Sequence, residues 1–168
     1  MCYFYHASKL EFKEGDSFST KNFNGDVTTD HAKRSLEEQK VNILMDALRP
    51  EGVDSRVKSI FLFKKIEHCL AYIKSQKEQL FIYEVNPLSP YFGGFPFCLV
   101  NKVYNAPAMD LKEKIIKEYW EPSQKWKFNE YLTQSIQIIE KKEYTYLYCD
   151  DFCDDIKIYN RMFCKEIF

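Results

Sequence analysis

An acid, an imidazole and a phenol stand out in this chain for the company they keep. The acid is Glu130, in the stretch Trp-Lys-Phe-Asn-Glu-Tyr-Leu-Thr-Gln-Ser-Ile-Gln-Ile-Ile-Glu from Trp126 to Glu140. Leu132, Ile136 and Ile138 share one parity after it, so the stretch reads as a strand that Glu130 opens, with Gln134 and Gln137 weakening the alternation. Trp126 and Phe128 put an apolar wall beside the carboxylate, where a charge is kept only if it is paired or used. The imidazole is His6, in Tyr5-His6-Ala7-Ser8. At a strand end such a ring is often satisfied by backbone groups alone. The phenol is Tyr72, beside the apolar stripe of a short helix. Lys125 and Lys127 flank the Glu130 motif and could meet a phosphate, though exposed lysines usually meet only water.

Those groups need a fold to bring them together. Residues 2 to 7 suit a strand that begins almost at the first residue, and the turn-like pairs at Gly15-Asp16 and Asn24-Gly25-Asp26 flank a polar loop. Thr28 or Thr29 is expected to cap a helix running to about Leu48, which Arg49-Pro50 ends. Val57 to Phe63 reads as a second strand, rich in β-branched and aromatic residues. From Ile66 to about Lys74 the spacing of Ile66, Cys69, Leu70 and Ile73 is helical. Leu80 to Val85 is a third strand, and Pro90-Tyr91-Phe92-Gly93-Gly94-Phe95-Pro96 is expected to be an irregular loop able to line a ligand pocket. A helix over Asp110 to Trp120 stops at Pro122. Glu140, Lys141, Lys142 and Glu143 read as a solvated turn, Tyr144 to Tyr148 as a strand, and Phe152, Ile156, Tyr159, Phe163 and Ile167 as one face of a final helix.

With 168 residues, 45% hydrophobic and 17% aromatic, the chain is expected to form a single folded domain spanning residues 1–168. A formal charge of −1 supplies no global basic field for nucleic acid. The six cysteines show neither a paired Cys-x-x-Cys framework nor a zinc spacing, so no metal site is expected. Free thiols point to a reducing cytosol, and the N-terminus lacks the pattern of a signal peptide, so a cytoplasmic protein is expected. No window approaches membrane-spanning length, and no membrane partner is expected.

In order and context, Tyr5-His6-Ala7-Ser8, Ile60-Phe61 through Tyr72, and Asn129-Glu130-Tyr131 resemble the ADP-ribosyltransferase superfamily, in its diphtheria-toxin and poly(ADP-ribose) polymerase branch. That branch carries a histidine on the first core strand, a tyrosine-bearing strand and helix, and a glutamate opening a later strand. The resemblance implies NAD as co-substrate. It implies that His6 contacts the hydroxyls of the adenosine ribose, and that Ala7, where glycine is usual, holds the nicotinamide amide through its backbone. Ser8 completes the element. Tyr72 is implied to stack on the nicotinamide ring, with Phe61 where the branch usually has tyrosine and Cys69 where the polymerases often have serine. A thiol is the weaker donor. Glu130 matches the catalytic glutamate: breaking the bond between nicotinamide and ribose develops positive charge on the sugar, which a carboxylate bonded to the ribose 2′-hydroxyl stabilises most in the transition state.

Phe128 stands two positions before Glu130, where arginine-modifying relatives carry glutamate or glutamine, so attack by a guanidinium is not expected. The RNA 2′-phosphotransferases share the broad fold, but their paired arginine and histidine pattern is not evident. The resemblance therefore implies transfer of ADP-ribose to a macromolecular acceptor, protein, DNA or RNA. Bacterial and phage relatives of this size often act as toxins or in host-phage conflict, with an antitoxin or inhibitor as partner. NAD hydrolysis, and a non-catalytic module that binds NAD or ADP-ribose, are the alternatives. The expected architecture is α+β: a split sandwich of two mostly antiparallel sheets with peripheral helices.

Overall fold

Strand β4, Phe81–Pro87, is apolar on both parities because both of its faces are covered: Tyr83 and Val85 point into a core between two sheets, and Ile82 points outward under a helix. The computed structural model describes residues 3–20, 36–75, 80–126 and 128–143. Around β4 lies a four-stranded sheet in the order β1-β4-β7-β2, with β1 Phe4–Ser8, β2 Ser17–Ser19 and β7 Ser135–Lys142. A second sheet has the order β3-β6-β5, with β3 Ile60–Leu62, β5 Tyr91–Pro96 and β6 Asn129–Thr133. Every pairing is antiparallel. The sheets meet at one isolated bridge, where Tyr5 and Phe63 exchange backbone hydrogen bonds of 2.7 and 2.9 Å.

Helices cover the outer faces. Helix α2, Ile66–Ser75, lays Cys69 and Ile73 against Ile82 and Phe63, while α1 (Leu36–Ala47), α3 (Cys98–Asn105) and α4 (Met109–Trp120) cover the three-stranded sheet. The described residues thus form an α+β structure with two antiparallel sheets. Among the described residues no helix is long and apolar enough to cross a membrane.

Several expectations need correction. The stretch from Trp126 to Glu140 is not one strand. It breaks at Gln134, and β6 and β7 belong to different sheets. The Ser89 hydroxyl holds that corner, accepting hydrogen bonds from the Gln134 and Ser135 amides at 3.2 and 3.1 Å. Capture of amides that have left the ladder lets a chain turn sharply. Pro90 to Pro96 is not a loop, since Tyr91–Pro96 pairs with β6. The glycines are there for the strand: a Cβ on Gly93 would lie 2.0 Å from the Tyr131 ring, and Gly94 sits at φ +89° in a bulge. The extra residue puts Phe92 and Phe95, three apart, on the same side, which erases the alternation a strand normally shows. Val57 to Phe63 begins with a 3-10 turn, Arg56–Lys58, and only Ile60–Leu62 is strand.

Glu140 to Lys142 continues β7 instead of turning. Glu84 and Glu140 face each other across β4 and β7, and Lys142 sits 2.6 and 2.5 Å from their carboxylates, neutralising the repulsion. Helix α3 was not anticipated. The expected start of α1 at Thr28 or Thr29, Lys127, the strand at 144–148 and the final helix lie outside the described residues.

Candidate functional site

The site is organised by an arginine that a turn forces inward. Asp46, near the end of α1, accepts hydrogen bonds from the Arg56 amide at 2.7 Å, the Val57 amide at 3.4 Å and the Ser55 hydroxyl, so the 3-10 turn is fastened to the helix. Ser55 caps the turn by accepting from the Lys58 amide. With its backbone held there, Arg56 extends between the helices and the second sheet and is 7% exposed. Its guanidinium lies 4.5 Å over the Phe61 ring, a cation-π contact within a dry wall.

Three donors of that guanidinium are spoken for. Nε donates to the Tyr119 hydroxyl at 3.2 Å, one terminal nitrogen to Asn42 Oδ1 at 3.0 Å, and the other lies 3.0 Å from Glu130 Oε1. The Tyr119 hydroxyl in turn donates to the same Glu130 oxygen at 2.5 Å. Arg56, Tyr119 and Glu130 therefore close a triangle in which each proton has one assignment: the phenol accepts from the guanidinium and gives its own proton to the carboxylate. Both contacts fall on Oε1, and Oε2 is engaged by neither. Glu130 is 1% exposed.

The electrostatics agree with the geometry. Burial works against the Arg56 charge, but the Glu130 carboxylate and the Tyr119 phenol more than offset it, and the guanidinium is held more firmly protonated than usual. The Tyr119 hydroxyl is pushed well above the ordinary phenol range, first by burial and then by the adjacent negative carboxylate, so it remains a neutral donor. An ion pair taken out of water persists only when its other hydrogen bonds are also satisfied, which Asn42 and Tyr119 do here.

Of the residues singled out by the sequence, the structure brings Phe61 to this triangle, whereas His6 lies on the face between the sheets and Ala7, Ser8 and Cys69 lie apart from it. Glu130 and Leu132 of β6 and Phe61 of β3 face the helices, with Phe95 of β5 opposite Glu130 and stacked on Tyr119 at 5.3 Å between ring centroids. Tyr72, on α2, packs its ring against Phe63 at 5.5 Å, and its phenol lies within electrostatic reach of Arg56. His6 shares the side of β1 that carries Phe4 and lies near Phe18 on the face between the sheets. It reaches the site through backbone: its Nδ1 donates to the Phe61 carbonyl at 2.9 Å. A carbonyl can only accept, so that bond fixes the tautomer and leaves Nε2 with a lone pair. Loss of hydration lowers the imidazole pKa from 6.5 to about 4, the Phe61 bond offsetting only part of it, and His6 is neutral at pH 7.

Ala7 packs among the α2 residues and pairs with Ile82, while the Ser8 hydroxyl accepts from the Leu10 amide at 3.1 Å. Cys69 is fully enclosed, and burial pushes its thiol far up, so it behaves as a small apolar group with a weak donor. Phe61 thus links the constellation, its carbonyl to His6 and its ring to the guanidinium that holds Glu130.

Sequence reasoning missed Arg56, Tyr119 and Asn42. Arg56 stands just before the residues read as a strand, and Tyr119 lies near the end of the helix expected over Asp110 to Trp120, where nothing beside it in sequence marks it as polar machinery. The available signal was the acid itself, since a glutamate walled in by aromatics needs a cation. No family model and no curated protein matches the chain.

Proposed function

We propose that the protein transfers ADP-ribose from NAD to a macromolecular acceptor, protein or nucleic acid, with release of nicotinamide. In this reaction the bond between the ribose C1′ and the nicotinamide nitrogen breaks with its electron pair going to the pyridinium. The acceptor's nucleophilic atom bonds to C1′ and loses its proton. Support comes from the order of the His6, Phe61-Tyr72 and Glu130 elements and from an α+β sandwich with helices outside it. The observation that carries the reading is the setting of Glu130: a carboxylate buried among aromatics that Arg56 and Tyr119 both hold by Oε1.

The donor and acceptor chemistry suits NAD. An acceptor at Glu130 Oε2 fits a ribose hydroxyl that donates, and an acceptor lone pair at His6 Nε2 fits the hydroxyls of the second ribose. The Tyr72 and Phe61 rings suit the flat nicotinamide, and Ala7 retains the backbone groups that hold a carboxamide. Fixed dipoles aimed at developing positive charge in a dry site stabilise it more than water does. Glu130 has the role of catalyst, with His6, Ala7, Ser8, Phe61 and Tyr72 binding NAD and the enclosed Cys69 packing behind them.

Incubation with labelled NAD and separate pools of protein, DNA and RNA tests this. Label on one pool with release of nicotinamide, falling to a low residual rate in a folded Glu130→Gln variant, is the expected result. Free ADP-ribose with no labelled macromolecule assigns hydrolysis instead. A second reading is a binding module, favoured by the fact that both partners of Glu130 Oε1 are the protein's own groups. Calorimetric binding of NAD without nicotinamide release would establish it.

A further inference from the structure

We infer that Arg56 and Tyr119 form a positioning pair that clamps Glu130 by Oε1 and thereby selects Oε2 as the oxygen that meets the substrate. The inference rests on the transferase reading and extends it to residues that the sequence resemblance does not supply. A free carboxylate rotates about its terminal bond and presents either oxygen. Here two donors from different elements, one on the turn before β3 and one on α4, converge on a single oxygen at 3.0 and 2.5 Å. Neither donor moves alone, because Arg56 Nε also bonds the Tyr119 hydroxyl at 3.2 Å. The clamp is anchored further out by Asn42 and by Asp46, both on α1, so the helix holds the side chain and the backbone of the same arginine.

This arrangement asks more of Arg56 than charge. Its planar fork serves Asn42, Tyr119 and Glu130 in three directions, which the single ammonium of a lysine cannot do. The pair touches Oε1 and not Oε2, so, with Oε2 meeting the substrate, its removal should slow the chemical step while leaving NAD binding nearly intact. Misplacing a reacting group by about 1 Å can cost on the order of 100-fold in rate.

Nicotinamide release by the full chain is measured for the wild type, Tyr119→Phe, Arg56→Lys and Glu130→Gln, and for the Tyr119→Phe/Glu130→Gln double variant. Folding of each is checked by thermal melting. The expected result is a fall in kcat of roughly 10- to 100-fold for Tyr119→Phe and for Arg56→Lys, with KM for NAD changing by less than about threefold. A group that acts only through Glu130 has nothing left to act on in its absence, so Tyr119→Phe should cause no further loss in the Glu130→Gln background. Wild-type kcat in folded Tyr119→Phe and Arg56→Lys overturns the inference and leaves the transferase reading standing. So does an equal loss on adding Tyr119→Phe to Glu130→Gln, which marks a general structural effect. A wild type that releases no nicotinamide, or a Glu130→Gln variant as active as the wild type, overturns both.

Discussion

Strand β6 presents Glu130 and Leu132 to the helices and Tyr131 to the opposite sheet, and its two sides are built differently. On the sheet side, Phe4, Ile60, Leu62, Tyr83, Val85, Ile136 and Ile138 form a core closed by shape and apolar area. On the helix side, an equally buried surface contains a guanidinium, a phenol, a carboxylate and an amide bound to one another. The first side stabilises by removing apolar surface from water, at roughly 25 cal/mol per Å². The second carries a desolvation cost that its internal bonds offset. Polar groups kept at that cost, beside a core that shows how the same volume is filled without them, are the contrast that the proposed transferase site would account for.

The largest effect should come from breaking the polar side. Arg56→Met strands a buried carboxylate and should cost about 3–5 kcal/mol, a large part of the roughly 5–15 kcal/mol that holds a domain of this size together. Adding Glu130→Leu removes the stranded charge, and the Arg56→Met/Glu130→Leu variant should recover most of the loss. Denaturant midpoints for the two variants decide it: equal destabilisation would mean that packing, not charge, is what Arg56 supplies. On the dry side Leu62→Ala should cost about 2–5 kcal/mol through the cavity it leaves, with turnover per folded molecule unchanged. On the transferase reading, the double variant should be stable and inactive, the Leu62 variant weak and active.

How much of this could be read in advance divides along the same line. Periodicity located β1, α2, β4 and α4 to within a residue or two, because each is long enough to repeat its pattern against a continuous core. It failed at β5, where the Gly94 bulge removes the alternation, and at the corner between β6 and β7, where two strands of different sheets run on with only Gln134 between them. Helix α3 was missed because Cys98, Leu99 and Val103 are too few to declare a stripe over eight residues. Glu130 was legible as a carboxylate in an apolar setting, and its partners were not. Arg56 lies 74 positions away in sequence, and no local pattern records a contact made across the fold.

His6 stands at the border of the two sides, which makes its titration a finer probe of the comparison. Folded, its ring takes a proton only near pH 4, whereas an unfolded histidine does so near 6.5. Between those values the unfolded chain binds more protons, so stability falls as pH drops below about 6.5 and the loss is complete below about 4. The full difference amounts to about 2–3 kcal/mol, part exposure of the residue placing it toward the lower end. His6→Asn keeps a donor for the Phe61 carbonyl without a titrating group. Urea melts across this range should show a shallower acid loss for the variant, and parallel curves would mean that carboxylates elsewhere account for it.

The smallest effect probes the close approach on the dry side. A methyl at Gly93 would meet Cδ1 and Cγ of Tyr131 at 2.0 and 2.5 Å, and that ring is already wedged edge-on against Phe4 at 5.5 Å between centroids. Gly93→Ala should therefore cost about 1–3 kcal/mol, the range for forcing extra volume into a packed site. Gly93 has an ordinary negative-φ backbone, so the cost comes from the ring and not from the dihedrals. In a Tyr131→Ala background the added methyl has no ring to meet, and Gly93→Ala should then be close to neutral. Thermal melts of the four proteins in this cycle measure the coupling; additivity would show that the glycine is needed for the bulge at Gly94 and not for the tyrosine beside it. Turnover should be untouched throughout, because Tyr131 faces away from the oxygen that Arg56 and Tyr119 hold.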